Sequence, residues 1–305
     1  MTERWNNDLG RERFALPTGV ELDVMLGGPA DAPAIFFLHG FPESSRTWRH
    51  QMVDFVKDYR VLAPDQRGFA RSSKPSEVSD YTHDKPVGDL FALADALGIE
   101  TFTLVGHDWG GAIAWAAALG NPARVTRLAI VNAPHPFIFQ KSVFDDMGQR
   151  EASQYIRSFR MPGMAEYFSA KPDKLFDKTF GHSGVGPETS AMERALYLDE
   201  WRQPGAIAAM LNWYRGAAVM VPPPGVTVPL PDFLLKAFPK VRVPTLVVWG
   251  MKDKALLPLQ LDGLDALVEQ LTIVRVPDAG HFVPWEKPQA VADALRPFLE
   301  GLERA

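Results

Sequence analysis

The stretch Val105 to Gly111 reads VGHDWGG and sets one carboxylate among small residues. Its outline is G-x-S-x-G, a pattern in which a strand turns sharply into a helix and presents one side chain at the tip, yet the serine slot holds Asp108. At a helix start an anion is stabilised and backbone N–H groups point towards it. An aspartate with an ordinary pKa of about 3.9 is already ionised at neutral pH, so it can act as a nucleophile without a base. Attack on a saturated carbon displaces a leaving group and leaves an alkyl ester, which water then has to cleave. Taken alone, Asp108 also fits a plain helix N-cap.

Three further loops supply what that chemistry lacks. Leu38-His39-Gly40-Phe41-Pro42-Glu43 follows an apolar run and contains Gly-X-Pro, so the Phe41 N–H can pair with that of Trp109 as an oxyanion hole. Asp253 in Trp249-Gly250-Met251-Lys252-Asp253 and His281 in Asp278-Ala279-Gly280-His281-Phe282 each lie just past the end of an expected strand. With an ionised nucleophile the histidine is free for another task, and His281 is expected to activate the water, oriented by Asp253. Each loop has its own reading as a turn or a packing site. Four of them in the order nucleophile, acid, histidine point to one catalytic site.

The motifs HGFPES, GHDWGG, MKD and AGHF resemble those of the epoxide hydrolase family of the α/β-hydrolase fold, with similarity from about Phe14 to Leu299. The leaving group is what separates this chemistry from its relatives. Halide departs unprotonated, whereas the alkoxide of an opened epoxide needs an acid, and a phenol with pKa about 10 remains protonated at pH 7 and can donate. The resemblance implies two such phenols in a cap. Tyr155, in QYIRSFRMPGMAE, matches the first and Tyr214, in LNWYR, the second. It also implies no cofactor and no metal, with a small-molecule epoxide and water as the only reaction partners. Phe41, Pro42, Trp109 and His135 are the expected substrate contacts, His39 and His107 are expected to brace loops, and Tyr59, Tyr81, Tyr167 and Tyr197 lack the family contexts and are read as structural. One departure is Ala70 in Asp65-Gln66-Arg67-Gly68-Phe69-Ala70, where the family usually has a second glycine. That loop is expected to carry no chemistry.

The elements that position these residues are legible as short apolar runs bounded by turn residues: Val20 to Leu26, Ile35 to Leu38, Arg60 to Ala63, Phe102 to Gly106, Arg127 to Asn132, Thr245 to Trp249 and Thr272 to Val276. Helical patterns at Gly88 to Leu97 and Gly111 to Leu119 lie between some of them. Such alternation predicts an α/β fold with a mostly parallel sheet covered by helices. It breaks between about Pro136 and Pro239, where helix-like segments occur (Phe144 to Phe159, Met192 to Trp201, Ala206 to Tyr214) but no strand pattern. An inserted helical cap over 136–239 is expected, with core parts at 1–135 and 240–305. The run Val221 to Pro231, VPPPGVTVPLP, reads as a semi-rigid connector back to the sheet.

Composition narrows the class. At 305 residues and 46% hydrophobic content the chain can build a sizeable core. Its net charge of −5 arises from interspersed charges, with no basic run suited to nucleic acid or an anionic membrane. The absence of cysteine excludes disulfides, thiolate metal sites and a cysteine nucleophile. The polar start, MTERWNNDLGRERF, contains no apolar leader pattern, and the expectation is a soluble, cytoplasmic protein, compatible with a homo-oligomer.

Two alternatives stand beside the epoxide reading. A haloalkane or haloacetate dehalogenase would share the aspartate, histidine and ester, but those enzymes generally place Asn where Phe41 stands or Arg where Trp109 stands. A catalytically silent ligand-binding relative would commonly lack one member of the constellation, and none is missing here. An ordinary esterase is disfavoured, because aspartate attack on an ester would give an anhydride.

Overall fold

The computed structural model describes residues 8–180, 191–226 and 228–300. Its centre is an eight-stranded sheet built from β1 (Leu9–Ala15), β2 (Glu21–Gly27), β3 (Ala34–Leu38), β4 (Arg60–Pro64), β5 (Phe102–His107), β6 (Val125–Val131), β7 (Thr245–Gly250) and β8 (Leu271–Val276). The spatial order is β1-β2-β4-β3-β5-β6-β7-β8. Strands β3 to β8 run parallel, whereas β1 pairs β2 and β2 pairs β4 antiparallel. Every residue of β3, β5 and β7 is buried, as strands covered on both faces require. Helices α1 (Arg49–Phe55), α2 (Asp84–Ala96) and α3 (Trp109–Gly120) follow the early strands.

Between β6 and β7 the described residues form no strand. They form α4 (Pro136–Asp145), α5 (Met147–Ala152), α6 (Gln154–Phe159), α7 (Met164–Ala170), α8 (Pro172–Thr179), α9 (Ala191–Arg202) and α10 (Ala206–Gly216). Three short or terminal helices complete the chain: α11 (Leu264–Leu267), α12 (Val283–Glu286) and α13 (Pro288–Glu300).

Three features depart from the sequence reading. Strand β1 carries no apolar pattern, LGRERFA, and is mostly exposed; it is an edge strand fixed by its ladder to β2 and by Arg11, which reaches Asp23 and Asp65, each at 2.6 Å. The single helix expected over Phe144 to Phe159 is three pieces, broken at Asp146, where the backbone is extended (φ −112°, ψ 122°), and again at Ser153 (φ −88°, ψ 1°). The Asp146 carboxylate caps α5 by accepting the Gln149 N–H at 2.7 Å, and Arg150 Nε donates to the Val143 carbonyl at 2.9 Å, closing the end of α4. Helices α7 and α8 have no counterpart among the expected segments: both are eight residues or shorter, too short for a periodic pattern to stand out.

Candidate active site

Strand β5 ends at His107 and α3 begins at Trp109, which leaves Asp108 at the turn with φ 49° and ψ −120°. This is a left-handed backbone for a residue with a side chain, the strained elbow that pushes its carboxylate out of the sheet edge. The turn needs close backbone approach. A Cβ at Gly106 would lie 2.5 Å from the Gly110 carbonyl oxygen, and one at Gly110 would lie 2.2 Å from that of Leu38. The loop after β3 therefore packs directly on the elbow, and the Phe41 N–H donates to Asp108 Oδ1 at 2.7 Å. Trp109 is the first residue of α3, so its N–H has no acceptor within the helix.

His281 lies on the loop after β8, with Nε2 3.6 Å from Asp108 Oδ2 and Nδ1 2.7 Å from Asp253 Oδ2. Asp253, buried on the loop after β7, has its other oxygen filled by the N–H groups of Ala255 (2.8 Å) and Leu256 (2.9 Å). Asn132, just past β6, donates from Nδ2 to the same Asp253 oxygen that His281 uses, at 2.7 Å, while its Oδ1 accepts the Gly250 N–H at 2.7 Å. Its own φ of 41° is one that asparagine tolerates better than most residues. The imidazole is thus held by a carboxylate that is itself fixed on every side.

The electrostatics follow from these distances. Burial works against the Asp108 carboxylate, but His281 and the Phe41 N–H outweigh it and hold its pKa below the ordinary carboxylate value. Burial likewise works against an imidazolium at His281, but Asp253 and Asp108 outweigh it and push its pKa well above the ordinary value. The free site therefore holds an ion pair, carboxylate against imidazolium.

Three further groups secure the loops. His107 places Nδ1 2.8 Å from Glu43 Oε2 and donates from Nε2 to the His281 carbonyl at 2.9 Å, beneath the His281 loop. Glu286 accepts the N–H groups of Gly280 (2.6 Å) and Phe282 (3.0 Å) on either side of His281. His39 accepts the Gln66 N–H on Nε2 at 3.0 Å, and the Gln66 amide donates to the His39 carbonyl at 2.6 Å. So the Asp65 to Ala70 loop, though remote from the reacting groups, steadies the Phe41 loop.

Above Asp108 lies a cavity of about 520 Å³, within the range of small-molecule sites. Asp108, His281, Phe41, Tyr155 and Tyr214 all line it. The two tyrosine rings stand 5.9 Å apart, edge to face, and Phe159 packs on both, at 5.7 Å and 5.0 Å. Burial raises both phenol pKa values, reinforced by the Asp108 charge at Tyr155 and by Tyr155 and then Asp108 at Tyr214, so both are protonated at neutral pH.

Not every expected contact faces this space. Trp109 packs edge to face on Tyr214 at 5.2 Å without lining the cavity. Pro42 turns its carbonyl to the Trp201 indole N–H at 3.0 Å. His135 is buried at the start of α4, against Trp115 (5.1 Å) and Phe238 (5.1 Å), and burial lowers its pKa to about 4. Neither Pro42 nor His135 lines the cavity. Tyr59, Tyr81, Tyr167 and Tyr197 do not line it either. Sequence reasoning missed Asn132, Glu43, Glu286 and Phe159; Glu43 and Phe159 sit inside quoted motifs and Asn132 ends a quoted apolar run, but none carries a signal of its own for the contacts it makes. Among the described residues no group of three or more His, Asp or Glu is placed to hold a metal ion, and no helix is long and apolar enough to cross a membrane.

Known proteins resemble this chain in sequence and fold. The α/β hydrolase fold family matches residues 33–288. The AB hydrolase superfamily protein YfhM of Bacillus subtilis is 32% identical over 95% of this chain and 98% of its own length. Epoxide hydrolase 3 of Xenopus tropicalis is 32% identical over 93% of this chain and 76% of that protein. Among solved structures, one of the epoxide hydrolases from metagenomes of hot environments superimposes with a TM-score of 0.81 at 48% identity, covering 95% of this chain and 98% of that one. A variant of an epoxide hydrolase from Bacillus megaterium, complexed with its naphthyloxy-propanediol product, superimposes with a TM-score of 0.85 at 29% identity, covering 95% of this chain and all of that one. The fold and these relatives together define the class, and the chain belongs to the epoxide hydrolase family of α/β-hydrolase enzymes.

Proposed function

We propose that this enzyme hydrolyses hydrophobic epoxides to vicinal diols through an alkyl ester on Asp108. An Asp108 oxygen attacks one ring carbon, the carbon–oxygen bond of the ring breaks, and Tyr155 or Tyr214 gives its proton to the departing oxygen. The products of this step are the ester and a tyrosinate. His281, oriented by Asp253, then takes a proton from water as the water oxygen attacks the ester carbonyl, with the N–H groups of Phe41 and Trp109 holding the oxyanion. Collapse releases the diol and restores the carboxylate.

The proton count closes over the two steps. Ester formation removes the Asp108 charge that helps hold the proton on His281. Transfer of that proton to the tyrosinate restores the phenol and leaves a neutral imidazole, the form able to act as the base.

The observation that carries this reading is the presence of two phenols in one cavity with Asp108 and His281. Halide displacement would use the same carboxylate but gives no role to either phenol. The test is a single turnover of styrene oxide in isotopically labelled water, with a haloalkane panel run in parallel. Diol whose added oxygen is initially unlabelled is expected, because that oxygen comes from Asp108. A labelled first product, or halide release exceeding diol formation, would overturn the assignment.

A further inference from the structure

The cap and the loop that carries Asp253 meet at one buried amide. Gln149 of α5 donates from Nε2 to the Ala255 carbonyl at 2.9 Å, and its Oε1 accepts the Leu257 N–H at 2.9 Å. These are the two bonds that a residue of a parallel strand would make with its neighbour, here supplied by a side chain. Between them lies Leu256, whose N–H, with that of Ala255, fills Asp253 Oδ1. The segment is therefore bound by the Asp253 carboxylate on one side and by the cap on the other. Ala152 of α5 and Ala255 both line the cavity, so this joint lies in its wall.

The amide itself has no freedom left. Its second N–H goes to Ser153 Oγ at 2.9 Å, and its oxygen takes a further bond from Gln260 Nε2 at 3.0 Å. Gln260 is anchored in turn on Ser142 Oγ of α4, at 2.7 Å. Gln149, Gln260, Ser142 and Ser153 are all buried, so a rotated amide would leave polar atoms unpaired away from water. We propose that Gln149 is a positioning residue for water activation: it locks the Ala255 to Leu257 segment, the segment fixes the Asp253 carboxylate, and Asp253 orients His281. This rests on the two-step hydrolysis proposed above and adds a cap residue to its second step. Attack by Asp108 and proton donation by the phenols do not pass through this segment, so the effect falls on ester hydrolysis.

The test measures the two steps separately in single turnovers of styrene oxide. Gln149→Met keeps the length of the side chain and removes both ends of the amide. Its ester hydrolysis is expected to slow by about ten- to a hundredfold while ester formation stays within about twofold of native, so that the ester-bearing chain accumulates in intact-protein mass spectrometry. Gln149→Glu is the rescuing variant. Burial favours the uncharged carboxyl, which can donate to the Ala255 carbonyl and accept the Leu257 N–H as the amide does, whereas the ionised form has no proton to give. The ratio of variant to native ester hydrolysis is therefore expected to lie near one at acid pH and to fall as pH rises. Equal slowing of both steps in Gln149→Met, or native ester hydrolysis in it, overturns the positioning role alone. Should that variant not fold, the ratio in Gln149→Glu decides, and one that does not fall as pH rises overturns the role. In labelled water, a labelled first-turnover diol from the native protein overturns the two-step reading and this proposal with it.

Discussion

At the scale of single residues, two carboxylates and one imidazole set the charge state of the site. Asp253 and Asp108 face opposite nitrogens of His281, at 2.7 Å and 3.6 Å, and both favour its protonated form. Replacing Asp108 by Asn removes one of these charges, so the His281 titration midpoint should move to lower pH, read by NMR of the imidazole. An unmoved midpoint would contradict the ion pair. Loss of the imidazole should separate the two chemical steps. In His281→Gln, Asp108 can still attack, while ester hydrolysis should slow by about 10²- to 10⁴-fold, the usual worth of a general base. Intact-protein mass spectrometry should then show the chain carrying one substrate, and a normal steady-state rate would refute the assigned role.

At the scale of elements, the phenols depend on how two cap helices are joined. Arg160 follows the last residue of α6, the helix of Tyr155, and reaches the C-terminal end of α10, the helix of Tyr214. Its Nε donates to the Tyr214 carbonyl at 2.7 Å, Nη1 to that of Val219 at 2.7 Å and Nη2 to that of Ala217 at 3.0 Å. These carbonyls lack partners within the helix, and a guanidinium fork satisfies them together. Arg160→Met should let the two phenols drift, slowing ester formation by about ten- to a hundredfold while ester hydrolysis, which depends on His281, changes little. Equal slowing of both steps in pre-steady-state kinetics would show general unfolding instead. In the core, Ala70 holds φ at 40° where the family usually has glycine. Such a backbone costs a residue with a Cβ about 1 kcal/mol, so Ala70→Gly should raise the stability of the chain by about that amount in denaturant unfolding. A destabilised variant would show that the Ala70 side chain contributes packing that outweighs the strain.

At the scale of the whole molecule, the cap is seated on the core by polar contacts around the Phe41 loop. Arg46 pairs with Glu200 of α9 at 2.5 Å and Arg49 with Glu193 at 2.6 Å, while the Trp201 and Trp213 indoles each donate at 3.0 Å to the carbonyls of Pro42 and Arg67. Burial pushes Glu200 up to about 7 despite the Arg46 charge. Its pKa is higher folded than unfolded, so its contribution to stability is complete below its ordinary value of 4.5 and is lost as pH rises towards 7. Glu200→Gln removes that dependence. The melting temperature of the variant relative to the native protein should therefore rise between pH 5 and 8 in about that window. A constant difference would place the Glu200 pKa near its unfolded value.

The sequence by itself determined the residue type at the elbow, the order of the loops that surround it and the buried strands that carry those loops. Each of these is a local property: a residue type, a glycine spacing, a short apolar run. Legibility failed wherever the decisive contact depended on irregular backbone geometry or tertiary packing that residue type and periodicity do not encode. Strand β1 has no pattern of its own and exists through its ladder to β2, and the cap segment from Phe144 breaks because Asp146 and Arg150 close helix ends that no periodicity marks. Asn132 and Glu286 read as ordinary polar residues until the fold places them against Asp253 and the His281 loop. Only the tertiary structure decided that Tyr155 and Tyr214 share a cavity with Asp108 and that Pro42 and His135 do not line it. Covalent order fixes which groups the chain owns, whereas distances between them are set by the packing of the cap on the sheet.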